Sequence, residues 1–253
     1  MTFFRVLESY LLLITREPTA NRAMVLSGLL GFLGALIMFF GDLLLYAHWR
    51  DMPVVSETIL SLLPGRKAVL LATSGQLQIS GVLGPIAGVF YLFGAWHLYI
   101  KLAFYSRFWA VLTAVFFGFS IIIAGAYHAL WGMYGFVVQF ANEQGLASLA
   151  LLEVAANYMT FVADIVTVPL GLACLIVLVR TLLTKTDYPR WMALLNPLLL
   201  LFVSGPILAA VAVNMAVPYG ALTVGTYFNV VMMIFFLASV YSPQAKKLST
   251  QAR

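Results

Sequence analysis

Long apolar segments recur along most of this 253-residue chain. A hydrocarbon core about 30 Å thick is crossed by roughly 20 helical residues, and within it only a helix or a closed barrel satisfies the backbone. Charged residues make up 9% of the chain, against about 25% in a soluble domain. The sequence therefore predicts an all-α integral membrane protein with a single transmembrane domain, 1–253.

The apolar segments predict a six-helix transmembrane bundle. The predicted spans are 22–47, 82–102, 107–134, 155–180, 190–214 and 219–241. In the fifth span, Asn196-Pro197 and Gly205-Pro206 predict a kink. Residues 1–21, where Arg5 and Glu8 interrupt an apolar run, predict an amphipathic helix lying at the membrane interface. Residues 242–253 are expected to form a cytoplasmic tail.

Lysine and arginine are unevenly distributed between the predicted connections. With the N-terminus inside, 11 of the 14 lie in inner segments and three, Arg50, Arg66 and Lys67, in outer ones. Because basic residues favour the cytoplasmic side, we expect both termini in the cytoplasm of a multi-pass bacterial inner (plasma) membrane protein. The outer connections 48–81 and 135–154 are long and amphipathic, which favours a functional site on the outer side.

Five polar residues share one face of the fourth predicted span and are called the polar stripe. Spaced by 4, 3, 4 and 3 residues, they are Glu153, Asn157, Thr160, Asp164 and Thr167. Residues at this spacing lie on one side of a helix. An ionisable group facing hydrocarbon costs several kcal/mol. We therefore predict that the polar stripe faces the bundle interior, as a buried seam or a cavity.

Three residues on other spans are candidates for the same region. Asp42 lies near the outer end of the first span, His128 in the outer third of the third, and Asn229 mid-membrane on the sixth. A buried imidazole needs a hydrogen-bond partner, and the charged candidates for His128 are Asp42 and Asp164. Such a pair could relay protons, act as a general base with its orienting carboxylate, contribute to a metal site, or lock two helices.

A metal site is the weakest of these hypotheses. His48 and His128 are the candidate ligands, completed by Asp42 and Asp164. The sequence has no HExxH motif, no GxSxG nucleophile motif and no phosphate-binding glycine loop. It therefore specifies no cofactor.

His97 and the glycines predict structural roles. His97 lies near the inner end of the second span beside Trp96 and Tyr99, which indicates an interfacial aromatic belt. Glycines at packing intervals in the first three spans let membrane helices approach closely. We expect this packing to be intramolecular.

Several short motifs resemble an uncharacterised family of small bacterial integral membrane proteins, known as a domain of unknown function. They are Gly41-Asp42-Leu43-Leu44-Leu45-Tyr46, Gly84-Pro85 leading to Gly94-Ala95-Trp96-His97, the isolated His128, and Asn196-Pro197. The resemblance implies an all-helical membrane fold over most of the chain and brings no activity with it. Seven-span membrane hydrolases related to alkaline ceramidases share only residue types, because this chain lacks their HxxxH pair.

The leading hypothesis is a protein that binds or transports a small lipidic or amphipathic ligand in a polar-lined cavity open to the outer leaflet. Its candidate ligand-binding residues are Asp42, His128, Glu153, Asn157, Thr160, Asp164 and Asn229. One alternative is a lipid-modifying enzyme, an acid–base or metal-dependent hydrolase, using His128 with Asp164 or Asp42. Another is a structural or assembly subunit of a membrane complex. Expected partners are membrane lipids and a second copy or a complex partner; no basic run indicates nucleic acid.

Overall fold

The computed structural model describes residues 18–48, 55, 57–62, 67–145, 149–203 and 224–242. Its long helices are α1 (Pro18–Tyr46), α2 (Ser74–Ala103), α3 (Arg107–Gln144), α4 (Leu149–Leu183) and α5 (Val224–Tyr241). Shorter elements are an α-helix, Glu57–Ser61, and two 3₁₀ helices, Lys67–Leu71 and Arg190–Leu195. Residues 197–203 are also helical.

Four helical segments in the described ranges are long and apolar enough to cross a membrane. They are Arg22–Tyr46 of α1 and the whole of α2, α3 and α4. The apolar part of α5, Thr226–Tyr241, is shorter. The all-helical fold and its membrane-spanning character agree with the sequence prediction. Most of the predicted interfacial helix, 1–17, and of the predicted tail, 243–253, lies outside the described residues.

Several helices extend further than the apolar runs that predicted them. α2 begins at Ser74 rather than at 82 because Thr73 and Gln76 form a capping box: Gln76 N donates to Thr73 Oγ1 (3.3 Å) and Thr73 N donates to Gln76 Oε1 (2.8 Å). α3 continues to Gln144, and α4 begins at Leu149. A run of apolar residues marks only the part of a helix that crosses the hydrocarbon core. Helical turns that continue beyond the core are therefore not predicted by such a run.

The predicted fifth span is wrong at its beginning. Arg190–Leu195 forms a 3₁₀ helix, and Asn196 then starts a new helix instead of kinking an existing one. Asn196 Oδ1 accepts a hydrogen bond from Leu198 N (3.0 Å), while its Nδ2 donates to Cys174 O (3.0 Å). Asparagine at the N-cap followed by proline at the first helical position is a favoured start. The remainder of this predicted span, 204–214, lies outside the described residues.

The described helices pack in the order α5, α1, α2, α3, α4, each on the next. Glycines lie at the closest contacts. A Cβ built at Gly31 would lie 2.9 Å from Gly94 Cα, and one at Gly84 would lie 2.3 Å from His128 Cβ. The glycines of these faces thus serve packing within the chain, as predicted, because any larger side chain would force the helices apart.

A second hydrophobic core lies at the end of the bundle where α1 ends and α2 begins, which is the predicted outer end, and it is called the outer cap. It joins the described parts of the connection between α1 and α2, such as Ile59 and Val69, to Val138 of α3 and Leu152 of α4. Gln139 Nε2 also donates to two carbonyls of this connection, Ala72 O at 2.7 Å and Val69 O at 3.3 Å. The outer cap covers the end of α1 that carries the polar residues described next.

Candidate functional site

The carboxyl group of Asp42 is buried at the contact of three helices. Its Oδ1 lies 3.1 Å from His128 Nε2, and its Oδ2 accepts a hydrogen bond of 2.7 Å from Asn229 Nδ2. The exposed fraction is 4% for Asp42, 6% for His128 and 4% for Asn229. The structure therefore brings together three of the residues predicted as candidates, from α1, α3 and α5.

Two residues of α2 complete this arrangement. Tyr91 OH donates to Asn229 Oδ1 (2.7 Å), and His128 Nδ1 lies 3.1 Å from Ser80 O. Ser80 Oγ in turn donates to Gly41 O (2.9 Å). The five residues Asp42, Ser80, Tyr91, His128 and Asn229 are called the outer network. It connects four helices through hydrogen bonds in a buried region, where unsatisfied polar groups are costly.

Hydrogen bonds at both ring nitrogens of His128 require one proton between His128 and Asp42. Ser80 O can only accept, so His128 Nδ1 must donate to it. His128 Nε2 then meets Asp42 Oδ1, and a hydrogen bond between these atoms requires one proton. Either Asp42 is a carboxylic acid beside a neutral imidazole, or it is a carboxylate beside an imidazolium. Both forms leave the pair with no net charge, which suits a region of low dielectric constant.

A second buried polar cluster lies towards the other end of the bundle and is called the inner network. His97 Nδ1 donates to Met24 O (2.9 Å), its Nε2 contacts Ser239 Oγ, and Lys101 Nζ donates to Ser242 Oγ (3.0 Å). The prediction of an interfacial aromatic belt at His97 is wrong, because this side chain is completely buried between helices. Its position beside Trp96 and Tyr99 near a span end predicted the membrane interface, whereas α1 and α5 supply its partners, Met24 O and Ser239 Oγ.

An aromatic cluster that includes the ring of Tyr91 lies between the other residues of the outer network and the inner network. Tyr91, Phe117 and Phe236 pack with their ring centroids 6.2 Å apart in each pair, and the His97 ring lies 6.1 Å from Phe236. From Ser80 to His97 the helix rises about 25 Å, close to the thickness of a hydrocarbon core. The outer and inner networks therefore lie near opposite ends of the membrane-embedded bundle.

Residues 20–244, a range that contains both networks, match a family of unknown function, DUF6796. The chain belongs to the DUF6796 family. This agrees with the resemblance to an uncharacterised membrane family. No curated protein and no solved structure matches the chain significantly.

In this DUF6796 chain the polar stripe does not face the bundle interior, and that prediction is wrong. The stripe residues are exposed on the surface of α4, and they are Glu153, Asn157, Thr160, Asp164 and Thr167. α4 packs on α3 through a neighbouring, apolar face, which includes Leu152, Met159 and Val162. An apolar face suits lipid and protein equally well, so the pattern alone could not show which face was buried.

Asp164 is therefore not the partner of His128 in the structure, and the predicted metal site is not assembled. His48, two residues beyond the end of α1, instead has its Nε2 2.9 Å from Leu45 O in the last turn of that helix. Among the described residues of this DUF6796 member, no three His, Cys, Asp or Glu side chains are grouped closely enough to hold a metal ion. The proposed quartet of His48, His128, Asp42 and Asp164 would require such a group.

Sequence reasoning missed two members of the outer network. Tyr91 lies in an apolar run with nothing in its spacing to distinguish it from a residue that fills a span, although a buried tyrosine hydroxyl usually has a hydrogen-bond partner. That rule could have signalled Tyr91. Ser80 contributes its backbone carbonyl to His128, and no side-chain pattern predicts such a contact.

The stability of the fold is expected to depend on pH through Asp187, which lies in the loop that follows α4. Burial raises its pKa above the usual 3.8, while the Lys101 ammonium and a hydrogen bond from Tyr105 act less strongly in the opposite direction. A raised pKa in the folded state stabilises the fold fully below pH 3.8, and this stabilisation is lost as the pH rises through the raised pKa. We expect Asp187→Asn to remove this loss.

The measurement is thermal unfolding of the detergent-solubilised protein at a series of pH values. The melting temperature of Asp187→Asn should gain on that of the wild type as the pH rises above 3.8. Glu143→Gln changes an exposed carboxyl on α3 and serves as the matched control. The prediction would be contradicted if the melting temperature of Asp187→Asn relative to that of the wild type stayed constant, or decreased, as the pH rises.

Proposed function

We propose that this protein is a proton-coupled membrane binding or transport protein in which Asp42 and His128 form the proton-binding site. One observation carries the proposal: a buried carboxyl group and a buried imidazole lie within hydrogen-bond distance, 3.1 Å from Asp42 Oδ1 to His128 Nε2, at the contact between α1 and α3. Ionisable residues inside a membrane bundle commonly belong to proton or substrate pathways. Histidine is suited to this role because its proton exchanges near neutral pH.

Proton gain or loss would change how the helices are held. Without the proton between His128 and Asp42, a neutral His128 has a single N–H, which can donate to Ser80 O or to Asp42 Oδ1 but not to both, so two acceptors 3.1 Å apart face each other at one of the two contacts. With an additional proton the pair would carry a net positive charge in a region of low dielectric constant. Either change weakens the contacts that His128 of α3 makes with α1 and α2. Protonation and helix movement are therefore coupled in the proposed mechanism.

The proposed ligand is a small lipidic or amphipathic molecule that reaches the outer network from the outer side. In the present state the outer network is closed, with its side chains bonded to one another beneath the apolar outer cap. Binding would require the cap and the outer end of α1 to move. This arrangement corresponds to an occluded state, and a ligand with a polar head and an apolar body would match the two surfaces.

The proposed topology is a six-span bundle of a bacterial inner membrane with both termini in the cytoplasm. The distribution of basic residues supports it. Arg22 lies 20 residues before Asp42 on α1, about 30 Å along the helix, and Arg107 lies at the corresponding end of α3. In this topology the outer network faces the side away from the cytoplasm.

A lipid-modifying enzyme has less support. Acid–base catalysis requires a ring nitrogen within hydrogen-bond reach of the substrate. In this state both ring nitrogens of His128 are engaged, by Ser80 O and by Asp42 Oδ1. The imidazole would have to exchange one of these partners for a substrate.

A pH jump applied to proteoliposomes on a solid-supported membrane tests the proposal. Protons that bind inside the membrane displace charge and give a transient current even before a substrate is known. We expect this current in the wild type and its loss in Asp42→Asn, which cannot exchange the proton. Ser120→Ala removes a buried hydrogen bond between α3 and α4, from Ser120 Oγ to Val166 O, and should retain the current.

The variants must remain folded for the comparison, which size-exclusion chromatography and helical circular dichroism establish. An undiminished current in Asp42→Asn would exclude Asp42 as the proton-binding residue. Equal loss in Asp42→Asn and Ser120→Ala would show that the current depends on general packing instead of on the outer network.

A further inference from the structure

The exposed face of α4 has the spacing of a helix-pairing seam. Asn157, Asp164 and Gly171 follow one another at intervals of seven residues, and Thr160 and Thr167 form a second such row between them. Two rows alternating at three and four residues form the contact line of left-handed helix pairs. These five residues are called the α4 seam.

The α4 seam extends into the hydrocarbon region. Ser120 Oγ donates to Val166 O, which fixes the register of α3 against α4. Ser120 lies eight residues from His128, so Val166 lies about 12 Å inward of the outer network and Asp164 about 9 Å inward. By the same register Asn157 lies near the level of the outer network. Asp164 is therefore a carboxyl group at membrane depth on an exposed helix face, where contact with lipid is unfavourable.

Two further observations indicate that a helix covers this face. In the most apolar stretch of α4, 22% of the residues are buried, against 39% to 44% in the spanning parts of α1, α2 and α3. Among the described residues, a Cβ at Gly171 would meet no atom within 4 Å, whereas a Cβ at Gly31 or Gly84 would collide with a neighbouring helix. Small residues in membrane helices mark faces where another helix can approach closely.

We propose that α4 pairs in parallel with α4 of a second copy of this chain along the α4 seam. Copies inserted in the same direction are related by a two-fold axis perpendicular to the membrane, so each seam residue meets its own equivalent at the same depth. Asparagine and a protonated aspartic acid each carry a donor and an acceptor, so Asn157 and Asp164 can each pair with their own equivalent and leave no charge facing lipid. Thr160 Oγ1 and Thr167 Oγ1 donate within α4, to Ala156 O (3.0 Å) and Ala163 O (2.8 Å), and present acceptors on the seam.

A partner of different sequence would fit less simply. It would need polar groups matching both Asn157 and Asp164 in depth, and a small contact opposite Gly171. A second copy supplies all three automatically. This inference is independent of the proposed proton-coupled function, because α4 contributes no side chain to the outer network.

Cysteine cross-linking in lipid bilayers tests the pairing. The background is Cys174→Ala, which removes the buried free thiol. Thr167→Cys and Gly171→Cys place thiols on the seam. Val82→Cys on α2 and Val115→Cys on α3, whose side chains are 60% and 56% exposed, are controls on other faces. Mild oxidation should give disulfide-linked dimers for the two seam positions and not for the controls.

Self-association measured by energy transfer between labelled copies in bilayers supplies the second test. Asp164→Leu should raise the dissociation constant roughly tenfold, as expected for loss of interhelical hydrogen bonds in a membrane. Asp164→Asn keeps a donor and an acceptor and should associate like the wild type. Both variants change an exposed side chain, so the folded monomer should be unaffected.

Three outcomes would overturn the proposal. They are a wild type that stays monomeric at every protein-to-lipid ratio, equal cross-linking at the seam and control positions, and Thr167→Cys linking only to a different protein. Association unchanged by Asp164→Leu would remove Asp164 from the pairing face.

Discussion

Gly84→Ala is expected to destabilise the bundle by about 1–3 kcal/mol, the usual effect of overpacking a filled interior. A Cβ at this position would lie 2.3 Å from His128 Cβ and 3.0 Å from Gly125 O. The carbonyl belongs to the backbone of α3, so it can yield only if α2 and α3 separate. The same movement would displace His128 from Asp42, and the variant should also lose outer-network hydrogen bonds.

Gly88→Ala, one helical turn further along α2, is the matched control. There a Cβ would lie 3.5 Å from Ile121 O and 3.9 Å from Gly125 Cα, which are ordinary contacts. Alanine is also favoured over glycine in a helix by about 1 kcal/mol. Thermal unfolding followed by fluorescence-detected size exclusion should show a lower melting temperature for Gly84→Ala and an unchanged or higher one for Gly88→Ala. Equal shifts would show that α2 and α3 are not in close contact at Gly84.

Asp42→Ala should reduce the free energy of unfolding by about 2–4 kcal/mol, because it leaves buried partners without their acceptor. His128 Nε2 and Asn229 Nδ2 would both lose the group that they contact. Chemical unfolding in mixed micelles measures this change. The double variant Asp42→Ala, His128→Ala should be less destabilised than the sum of the two single variants, since the two residues share one hydrogen bond.

Asp42→Asn separates the structural role of this position from its proposed function. The asparagine oxygen can accept from Asn229 Nδ2, and its amide can donate to a neutral His128 Nε2. We expect its stability to stay within about 0.5 kcal/mol of the wild type, while the proton-dependent current is lost. A stability loss as large as that of Asp42→Ala would instead mean that the pair is an imidazolium and a carboxylate, which an amide cannot replace.

The sequence by itself determined the class of protein and most of the outer network. Long apolar runs require helices in a membrane. Asp42, His128 and Asn229 could be selected because a polar side chain in such a helix needs a partner to be tolerated. Glycines at packing intervals predicted close helix contacts, which the approach of α2 to α3 at Gly84 confirms.

The tertiary structure alone decided which residues meet. The sequence left both Asp42 and Asp164 as candidate partners of His128. In the structure the partner is Asp42, 86 residues away in the chain. In the structure His97 is buried between helices, and the side chains of the polar stripe are exposed on the surface of α4. The physical reason is that apolar side chains face lipid and protein at similar cost. Long-range packing therefore decides which face of a membrane helix is buried, and the local spacing of residues does not encode that packing.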